Sequence, residues 1–289
     1  MSTAPAARLR RRILAALFPL VLLIPAAAAE PGTGPRLELE GKFVQGGLVI
    51  GHTAPGSRIT LDGKAVRQRA DGRFLIGFGR DAKPSAQLRV RVKGGAVITR
   101  TLAIAKRRYR VQRITGLPPK MVTPPARVLA RIRSEARKIR SARLADTDRP
   151  LFDSGFMWPA VGRISGVYGS QRILNGKPRR PHYGIDIAVP EGTPVRAAAA
   201  GVVRIADKDL YFTGGTVLID HGYGLNSVYS HLATLSVAPG QAVAKGEVIG
   251  TVGATGRATG AHLDWRVNLF LTRLDPALLV PPMPKPPPR

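Results

Sequence analysis

Two short segments carry histidine and aspartate at a spacing that suits a metal site. His182 and Asp186 are four residues apart with Gly184 between them, and His262 and Asp264 are two residues apart. In an extended chain, side chains at even spacing point to the same side, so each pair would share one face. Imidazole nitrogens and carboxylate oxygens are ordinary zinc ligands, and a catalytic zinc keeps one position open. The segments therefore predict a catalytic metal centre.

The residue composition limits the alternatives. The 289-residue chain has no cysteine, which excludes disulfides, thiolate zinc sites and cysteine nucleophiles. Any metal must be held by histidine or by a carboxylate. Of the five histidines, only His52 lies far from the C-terminal part, beside a turn, and a structural role is expected for it. His221 is followed by tight-turn glycines and is interpreted in the same way.

Further motifs surround the two segments in a definite order. They are Pro190-x-Gly192-x-Pro194-Val195, Ile219-Asp-His221-Gly, Tyr229-Ser-His231-Leu232, Gly240-x-x-Val243-x-x-Gly246 and Thr255-Gly-x-x-Thr259-Gly-x-His262. With His182-x-Gly184-x-Asp186, this ordered set resembles the lysostaphin and LytM family of zinc metallopeptidases. The resemblance covers residues from about 165 to 275, a little over a third of the chain.

The resemblance implies a role for each matching residue. His182 and Asp186 correspond to the first two zinc ligands of the family, and His231 and His262 to its non-ligand catalytic histidines. The third ligand of the family is a histidine, whose position is occupied here by Asp264. One histidine and two aspartates place more negative charge on Zn²⁺ and make it a weaker Lewis acid. Which of the two catalytic histidines is the general base stays open.

Two functions follow from the resemblance. The first is an exported zinc metalloendopeptidase that hydrolyses peptide cross-links of peptidoglycan during cell-wall remodelling. The alternative is a catalytically degenerate module that binds or activates a cell-wall hydrolase, because Asp264 departs from the family pattern. Tyr183, Tyr211 and Tyr229 could line a substrate groove or pack in the core.

The segments between the motifs predict a mainly β fold. Short alternating strands separated by Gly and Asp-Gly turns indicate a small N-terminal β-sandwich of immunoglobulin-like type, a connecting helix, and a C-terminal antiparallel β peptidase domain of LytM type. The predicted ranges are a spacer at 30–36, the sandwich at 37–115, a linker at 116–157 with a helix at about 126–144, the peptidase domain at 158–280 and a Pro-rich tail at 281–289.

The predicted helix is strongly basic. Val128, Ile132 and Ile139 form an apolar stripe, and arginines and lysines occupy the other side. Such a helix could lie on an anionic surface, or it could be a solvated connection packed on one domain.

The N-terminus and the net charge indicate where the protein acts. Four arginines between positions 8 and 12 precede an apolar run at 13–24 and a small-residue site at 27–29, which is the layout of a signal peptide over residues 1–29. An uncleaved anchor is the alternative. The predicted location is the periplasm or cell envelope. A formal charge of +27 favours an anionic partner, and nucleic acid, anionic lipid and anionic cell-wall polymer all fit that description. The resemblance implies peptidoglycan as the partner, with an anionic envelope surface or other cell-wall enzymes as further candidates. Nucleic acid is excluded by export and by the absence of an aromatic-interleaved basic motif.

Overall fold

The computed structural model describes Met1 and residues 36–115 and 125–284. Four predicted segments lie wholly or partly outside these ranges: the signal peptide at 1–29, the spacer at 30–36, the first part of the linker at 116–124 and the last part of the tail at 285–289. The described residues from Arg36 onward belong to one compact unit. The division of this unit into domains at 37–115 and 158–280 stays a prediction.

Strands dominate the fold, which confirms the mainly β prediction. The strands are β1 (Leu37–Gly41), β2 (Leu48–Thr53), β3 (Arg58–Leu61), β4 (Lys64–Val66), β5 (Arg73–Gly77), β6 (Ser85–Arg91), β7 (Val97–Ala103), β8 (Val111–Ile114), β9 (Arg163–Gly166), β10 (Gln171–Leu174), β11 (Lys177–Pro178), β12 (Ile185–Ala188), β13 (Pro194–Arg196), β14 (Gly201–Leu210), β15 (Gly214–Gly222), β16 (Leu225–Leu235), β17 (Ala242–Val243), β18 (Val248–Val252), β19 (Leu263–Leu269) and β20 (Thr272–Leu274). The described ranges contain one α-helix, α1 (Ala126–Arg143), and two 3₁₀ helices, Leu151–Ser154 and Pro276–Leu278.

The first seven strands form two facing sheets. One sheet has the order β1-β2-β5 and the other the order β4-β3-β6-β7. Residues alternate between buried and exposed along β6, as expected of a strand with one face on a core. The core between the sheets is formed by buried side chains such as Val49, Phe74 and Leu88. This is a β-sandwich, whereas its immunoglobulin-like type stays a prediction.

A larger antiparallel sheet carries the predicted metal site. Its main path runs β17-β14-β15-β16-β19-β12-β9, and β13, β18 and β20 pair at its side. Strand β15 is buried along its whole length and β16 from Leu225 to Leu232. One face of these strands packs in the main core, and the other face is covered by further parts of the chain. Trp265, Ile187 and Leu263 are fully buried in that main core.

Helix α1 packs on this sheet. Ile139 and Ala142 contact a buried apolar patch formed by Ile205, Leu218 and Val228. Two ion pairs join the helix to β14, Arg131 to Asp209 at 3.0 Å and Lys138 to Asp207 at 2.7 Å. The structure therefore supports the packed connecting helix over the surface-bound one. None of the helices in the described ranges has both the length and the apolar character that crossing a membrane requires.

The sandwich is joined to the larger sheet by backbone and side-chain contacts. Strand β8 lies within the range predicted for the sandwich, but its partner is β10, with which it pairs in parallel. The backbone N–H of Asp275 donates to the carbonyl of Gly46 at 2.8 Å. The carboxylate of Asp275, which is 2% exposed, accepts a hydrogen bond from Arg107 at 2.7 Å. The end of the large sheet is therefore fixed to the sandwich.

Candidate metal centre

Two of the predicted ligands come from neighbouring strands. Strands β12 and β19 pair antiparallel in a register that places Asp186 directly opposite Asp264. Side chains of directly opposed residues lie on the same face of a sheet. Both carboxylates are therefore brought together by the strand register, and both are buried.

His182 reaches the same point from outside the strand. Strand β12 begins at Ile185, so His182 lies in the segment before it. Its backbone is held by two hydrogen bonds, from its N–H to the carbonyl of Ser170 and from the N–H of Gly169 to its own carbonyl. The side chains of His182 and Asp186 do lie close together, as predicted. The predicted reason, alternation along one strand, applies only to Asp186, because His182 precedes the strand.

The three side chains form a group that fits a metal ion. His182, Asp186 and Asp264 each offer one ligand atom, and these atoms all lie within 4.8 Å of one another. The Nε2 atom of His182 lies 3.0 Å from Oδ1 of Asp186. Both atoms are buried and lack an aligned hydrogen-bond partner among the described residues. Buried polar atoms without partners are costly, and a cation between them would satisfy both. The donor set therefore suits Zn²⁺.

Two glycines without side chains make room for the carboxylates of Asp186 and Asp264. A Cβ on Gly184 would lie 2.5 Å from Oδ1 of Asp264, and a Cβ on Gly166 would collide with Oδ2 of Asp186. A side chain at either position would displace a predicted ligand. The space beside Gly184 is taken by the carboxylate of Asp264.

Each carboxylate is also bound by an arginine. Arg172 donates from Nη2 to Oδ2 of Asp186 at 2.7 Å. Arg266 donates from Nε to both oxygens of Asp264, at 2.9 and 3.2 Å, and from Nη2 to Oδ2. Burial raises the pKa of each carboxyl group, but neighbouring groups outweigh it and hold both pKa values below the ordinary range. The largest opposing effect comes from His182 for Asp186, followed by Arg172, and from the guanidinium of Arg266 for Asp264. Both aspartates are thus ionised, as ligands must be.

Sequence reasoning missed the role of Arg266. The signal was available, because Arg266 follows Asp264 at the same i, i+2 spacing that was applied to His262 and Asp264. Ser230 was also missed. It is paired with Asp264 across the sheet, and its buried hydroxyl lines the cleft described below.

The two predicted catalytic histidines lie against each other. The ring centroids of His231 and His262 are 4.7 Å apart. In each ring Nδ1 lies 2.8 Å from a backbone carbonyl, that of Thr255 for His231 and that of Gly260 for His262. A carbonyl only accepts hydrogen bonds, so Nδ1 carries the proton and Nε2 keeps its lone pair when the ring is neutral. Burial lowers the pKa of His231, which favours that neutral form.

The backbone at His231 is in an uncommon conformation. Its φ angle is +66°, a left-handed value that non-glycine residues adopt rarely and at a cost. The residue follows Ser230 in β16, where the strand pairing is irregular on the way to Leu232. The irregularity turns the imidazole of His231 toward the site face.

Other histidines and tyrosines take different roles. Both ring nitrogens of His221 are engaged inside the protein, by the carbonyl of Ala200 and the hydroxyl of Ser227, each at 2.7 Å. Tyr229 is fully buried in the main core. Three other side chains lie elsewhere: Tyr183 on the cleft wall, Tyr211 against the ring of Phe212, and His52 exposed in the sandwich with Nε2 3.1 Å from the carbonyl of Asp71.

A cleft of about 830 Å³ opens beside the metal centre. One wall is helix α1. The other is the site face of the large sheet, which contributes His231 and Asp264, together with His182 from the segment before β12. Among the described residues that line it, nine are arginines and two are acidic. The cleft is therefore cationic, and an anionic or carboxylate-bearing ligand would be attracted to it.

The fold and the candidate site agree with those of a known peptidase family. Residues 180–276 match the model of Peptidase family M23. The chain is 31% identical to a Pseudomonas aeruginosa protein whose crystal structure is described as a peptidase M23; the alignment covers 82% of this chain and 94% of that one, with a TM-score of 0.62. The chain belongs to peptidase family M23.

Curated relatives match the C-terminal part. The DD-carboxypeptidase/endopeptidase Mpg of Neisseria meningitidis serogroup B is 42% identical over 123 residues, which are 43% of this chain and 28% of Mpg. The peptidoglycan DD-endopeptidase ShyA of Vibrio cholerae is 39% identical over 106 residues, which are 36% of this chain and 24% of ShyA. The chain therefore spans about a quarter of the length of these relatives.

Proposed function

We propose that this protein is a zinc metalloendopeptidase that hydrolyses peptide cross-links of peptidoglycan and acts after export to the periplasm or cell envelope. The observation that carries the proposal is the convergence of His182, Asp186 and Asp264, together with the close approach of the rings of His231 and His262. Relatives named as peptidoglycan DD-endopeptidases support the substrate class. The predicted signal peptide at 1–29 supports export.

The three buried ligands would hold the metal, and the two histidines would act on the proton. Bound zinc supplies Lewis acidity and makes water a stronger acid. His231 lines the cleft and keeps Nε2 free to accept a proton, because its Nδ1 donates to the carbonyl of Thr255. We therefore assign the general base to His231 and the orientation of the reacting groups to His262.

The proposal is tested on purified sacculi. Wild-type protein loaded with zinc is expected to release soluble muropeptides whose new termini identify the cleaved bond. The variant His231→Ala is expected to bind zinc as the wild type does and to lose 10²- to 10⁴-fold in rate, the usual contribution of a positioned base. Asp186→Ala is expected to lose both zinc and activity. Metal content is measured on each protein by elemental analysis.

A control variant and two outcomes make the test decisive. His52→Ala removes an exposed histidine of the sandwich and is expected to retain full activity. Release of muropeptides by Asp186→Ala at the wild-type rate would disprove the assigned centre. Binding of sacculi without any hydrolysis by the zinc-loaded wild type would favour the alternative, a module that docks or activates another cell-wall hydrolase. A specific feature motivates that alternative: Arg266 already binds both oxygens of Asp264.

A further inference from the structure

One arginine of the cleft is buried without a counter-ion. Arg143, the last residue of α1, is 7% exposed and lines the cleft. Its Nε has no hydrogen-bond partner, and no ion pair or side-chain hydrogen bond of Arg143 occurs among the described residues. Removing a charge from water is unfavourable unless a partner compensates it. A guanidinium group that is buried without an ion-pair partner in the protein indicates that its partner is a bound ligand.

The charges around Arg143 are mostly positive. Burial first, and then the guanidinium groups of Arg273 and Arg266, lower the pKa of Arg143, and the carboxylate of Asp264 opposes them with a smaller effect. Arg266 is neutralised by its hydrogen bonds with Asp264. Arg273 donates only to a neutral amide, Oδ1 of Asn268 at 2.9 Å, so its charge is not balanced. Two uncompensated guanidinium groups, those of Arg143 and Arg273, thus lie in one cleft next to Asp264.

We propose that Arg143 and Arg273 form a binding site for a carboxylate of the peptide substrate, beside the metal centre. The proposal rests on the function proposed above, because it assigns the carboxylate to the peptide that the enzyme cleaves. The site fixes the position of the peptide along the cleft, so the two arginines are specificity-determining residues that do not touch the reacting atoms.

The chemistry of the site favours a peptide carboxylate. A guanidinium group presents two parallel N–H donors that match the two oxygens of a carboxylate, and such charge-assisted pairs gain strength where water is excluded. The cleft of about 830 Å³ has the size of a site for a short peptide, not of a groove for a long polymer. Tyr183, whose ring lies 5.8 Å from the guanidinium carbon of Arg273, closes one side of the site and can contact an apolar side chain of the same peptide.

The first test measures binding without hydrolysis. Full-length protein carrying His231→Ala is titrated by calorimetry with a synthetic stem tetrapeptide that has free carboxylates, and with the same peptide in fully amidated form. The carboxylate form is expected to bind at least tenfold more tightly. Adding Arg143→Met is expected to remove that preference, whereas Arg143→Lys, which keeps the charge but not the paired donors, is expected to retain part of it.

The second test measures thermal stability, which a merely structural role would change differently. Arg143→Met removes an uncompensated buried charge, so its Tm in peptide-free buffer is expected to be equal to or above that of the wild type. The carboxylate peptide is expected to raise the Tm of the wild type and to leave that of Arg143→Met unchanged. A large fall in the Tm of Arg143→Met without peptide would show that Arg143 is a structural residue and would overturn the proposal.

A matched control separates specific binding from general attraction. Arg137→Met makes the same substitution at an exposed position of the same helix that is not part of the cleft lining. It is expected to leave the carboxylate preference intact; an equal loss in both variants would reduce the effect to net charge and overturn the proposal. Loss of polyphosphate binding in Arg143→Met without any change in peptide binding would assign the site to an anionic polymer instead, which also contradicts it. Sacculus hydrolysis by the wild type is scored separately, so inactivity and absence of carboxylate binding are distinguishable results.

Discussion

Asp264 differs from its strand neighbours in having two competing partners. It is a candidate zinc ligand, and it is also the acceptor for Arg266, which lies on the same face of β19 two residues later. The carboxylate has a pKa far below its ordinary range. In the absence of a metal, the guanidinium compensates a charge that would otherwise be buried alone. Zinc must therefore share this carboxylate with Arg266 or displace the hydrogen bonds.

This competition predicts the behaviour of Arg266→Ala. Without metal, the variant leaves Asp264 buried and unpaired, so its free energy of unfolding should fall by about 3–5 kcal/mol. Added zinc should replace the missing positive charge and restore most of the loss, so the zinc-induced rise in Tm should exceed that of the wild type. Thermal unfolding in chelator and in zinc measures both quantities.

The control removes a similar ion pair outside the site. Arg204 donates to the buried Asp220 at 2.8 Å in the same sheet. Arg204→Ala should also lose stability, but zinc should not restore it. An equal rescue of both variants by zinc would mean that the effect does not depend on Asp264.

His221 predicts a pH dependence of stability. Burial lowers its pKa to about 4 from the ordinary 6.5. Between pH 6.5 and pH 4, His221 binds a proton in the unfolded chain but not in the native protein. The contribution of His221 to the free energy of unfolding is therefore fully present above pH 6.5 and is lost as the pH falls toward 4. The difference of about 2.5 pKa units corresponds to a loss of about 3 kcal/mol.

Denaturant titrations between pH 4 and 7 test this dependence. Ionised carboxylates lose stability in the same direction, so the wild type is compared with His221→Gln, which cannot be protonated. The free energy of unfolding should depend less steeply on pH in the variant, and the difference should equal the contribution attributed to His221. Parallel curves for the two proteins would contradict the assignment; His52→Gln, at an exposed site, serves as the control.

At the scale of elements, helix α1 forms a wall of the cleft. Its contact with the sheet depends on a small apolar patch, in which Ile139 packs against Leu218 and Val228. Val228 and Ser230 alternate along β16, and Ser230 is paired with Asp264. The helix therefore covers the same face of the sheet that carries the metal centre. Its position determines the width of the cleft.

Truncation of the apolar contact should loosen the helix. Ile139→Ala is expected to lower the free energy of unfolding by about 1–2 kcal/mol, somewhat less than for a fully buried isoleucine, because the side chain is only partly buried. Leu129→Ala, at an exposed position of the same helix, should cost far less. Hydrogen exchange of the α1 amides is the more specific measurement, since protection should fall in the helix while the sandwich is unchanged.

The sequence was sufficient for the local elements and for most of the candidate site. Alternating residues predicted strands where β6, β7 and β19 occur, and the His and Asp motifs predicted the group that the structure brings together. Arg143 was expected on the solvent side of a basic helix and is instead buried at its end. Whether a helical cation meets water or a cleft depends on what packs over it, which a helical pattern does not contain.

At the scale of the whole molecule, the sandwich and the large sheet should unfold together. Arg107→Ala removes the partner of Asp275, whose side chain is 3% exposed against 30% for Arg107. Loss of the partner of a buried carboxylate is costly, and the partial exposure of Arg107 reduces the expected loss to about 2 kcal/mol. Calorimetry should show one transition moving to lower temperature. Arg36→Ala, which breaks a solvent-exposed ion pair with Glu38, should leave the transition temperature unchanged.

Separate transitions would show that the contact does not couple the two parts. No local pattern predicts this coupling, because Arg107 and Asp275 are 168 positions apart in sequence. The same holds for the parallel pairing of β8 with β10. Contacts of this kind arise from the packing of whole sheets, so they become visible only in the folded chain.

The pairing of β8 with β10 has a mechanical consequence. The two strands run parallel, with Gln112 opposite Arg172 in the backbone register. A pull along the chain that leaves the sandwich would load this ladder in shear, so its hydrogen bonds would resist together instead of opening one by one. Arg172 lies in β10 and binds the carboxylate of Asp186. Tension applied to the sandwich would therefore be transmitted to Asp186, a candidate ligand of the proposed metal centre.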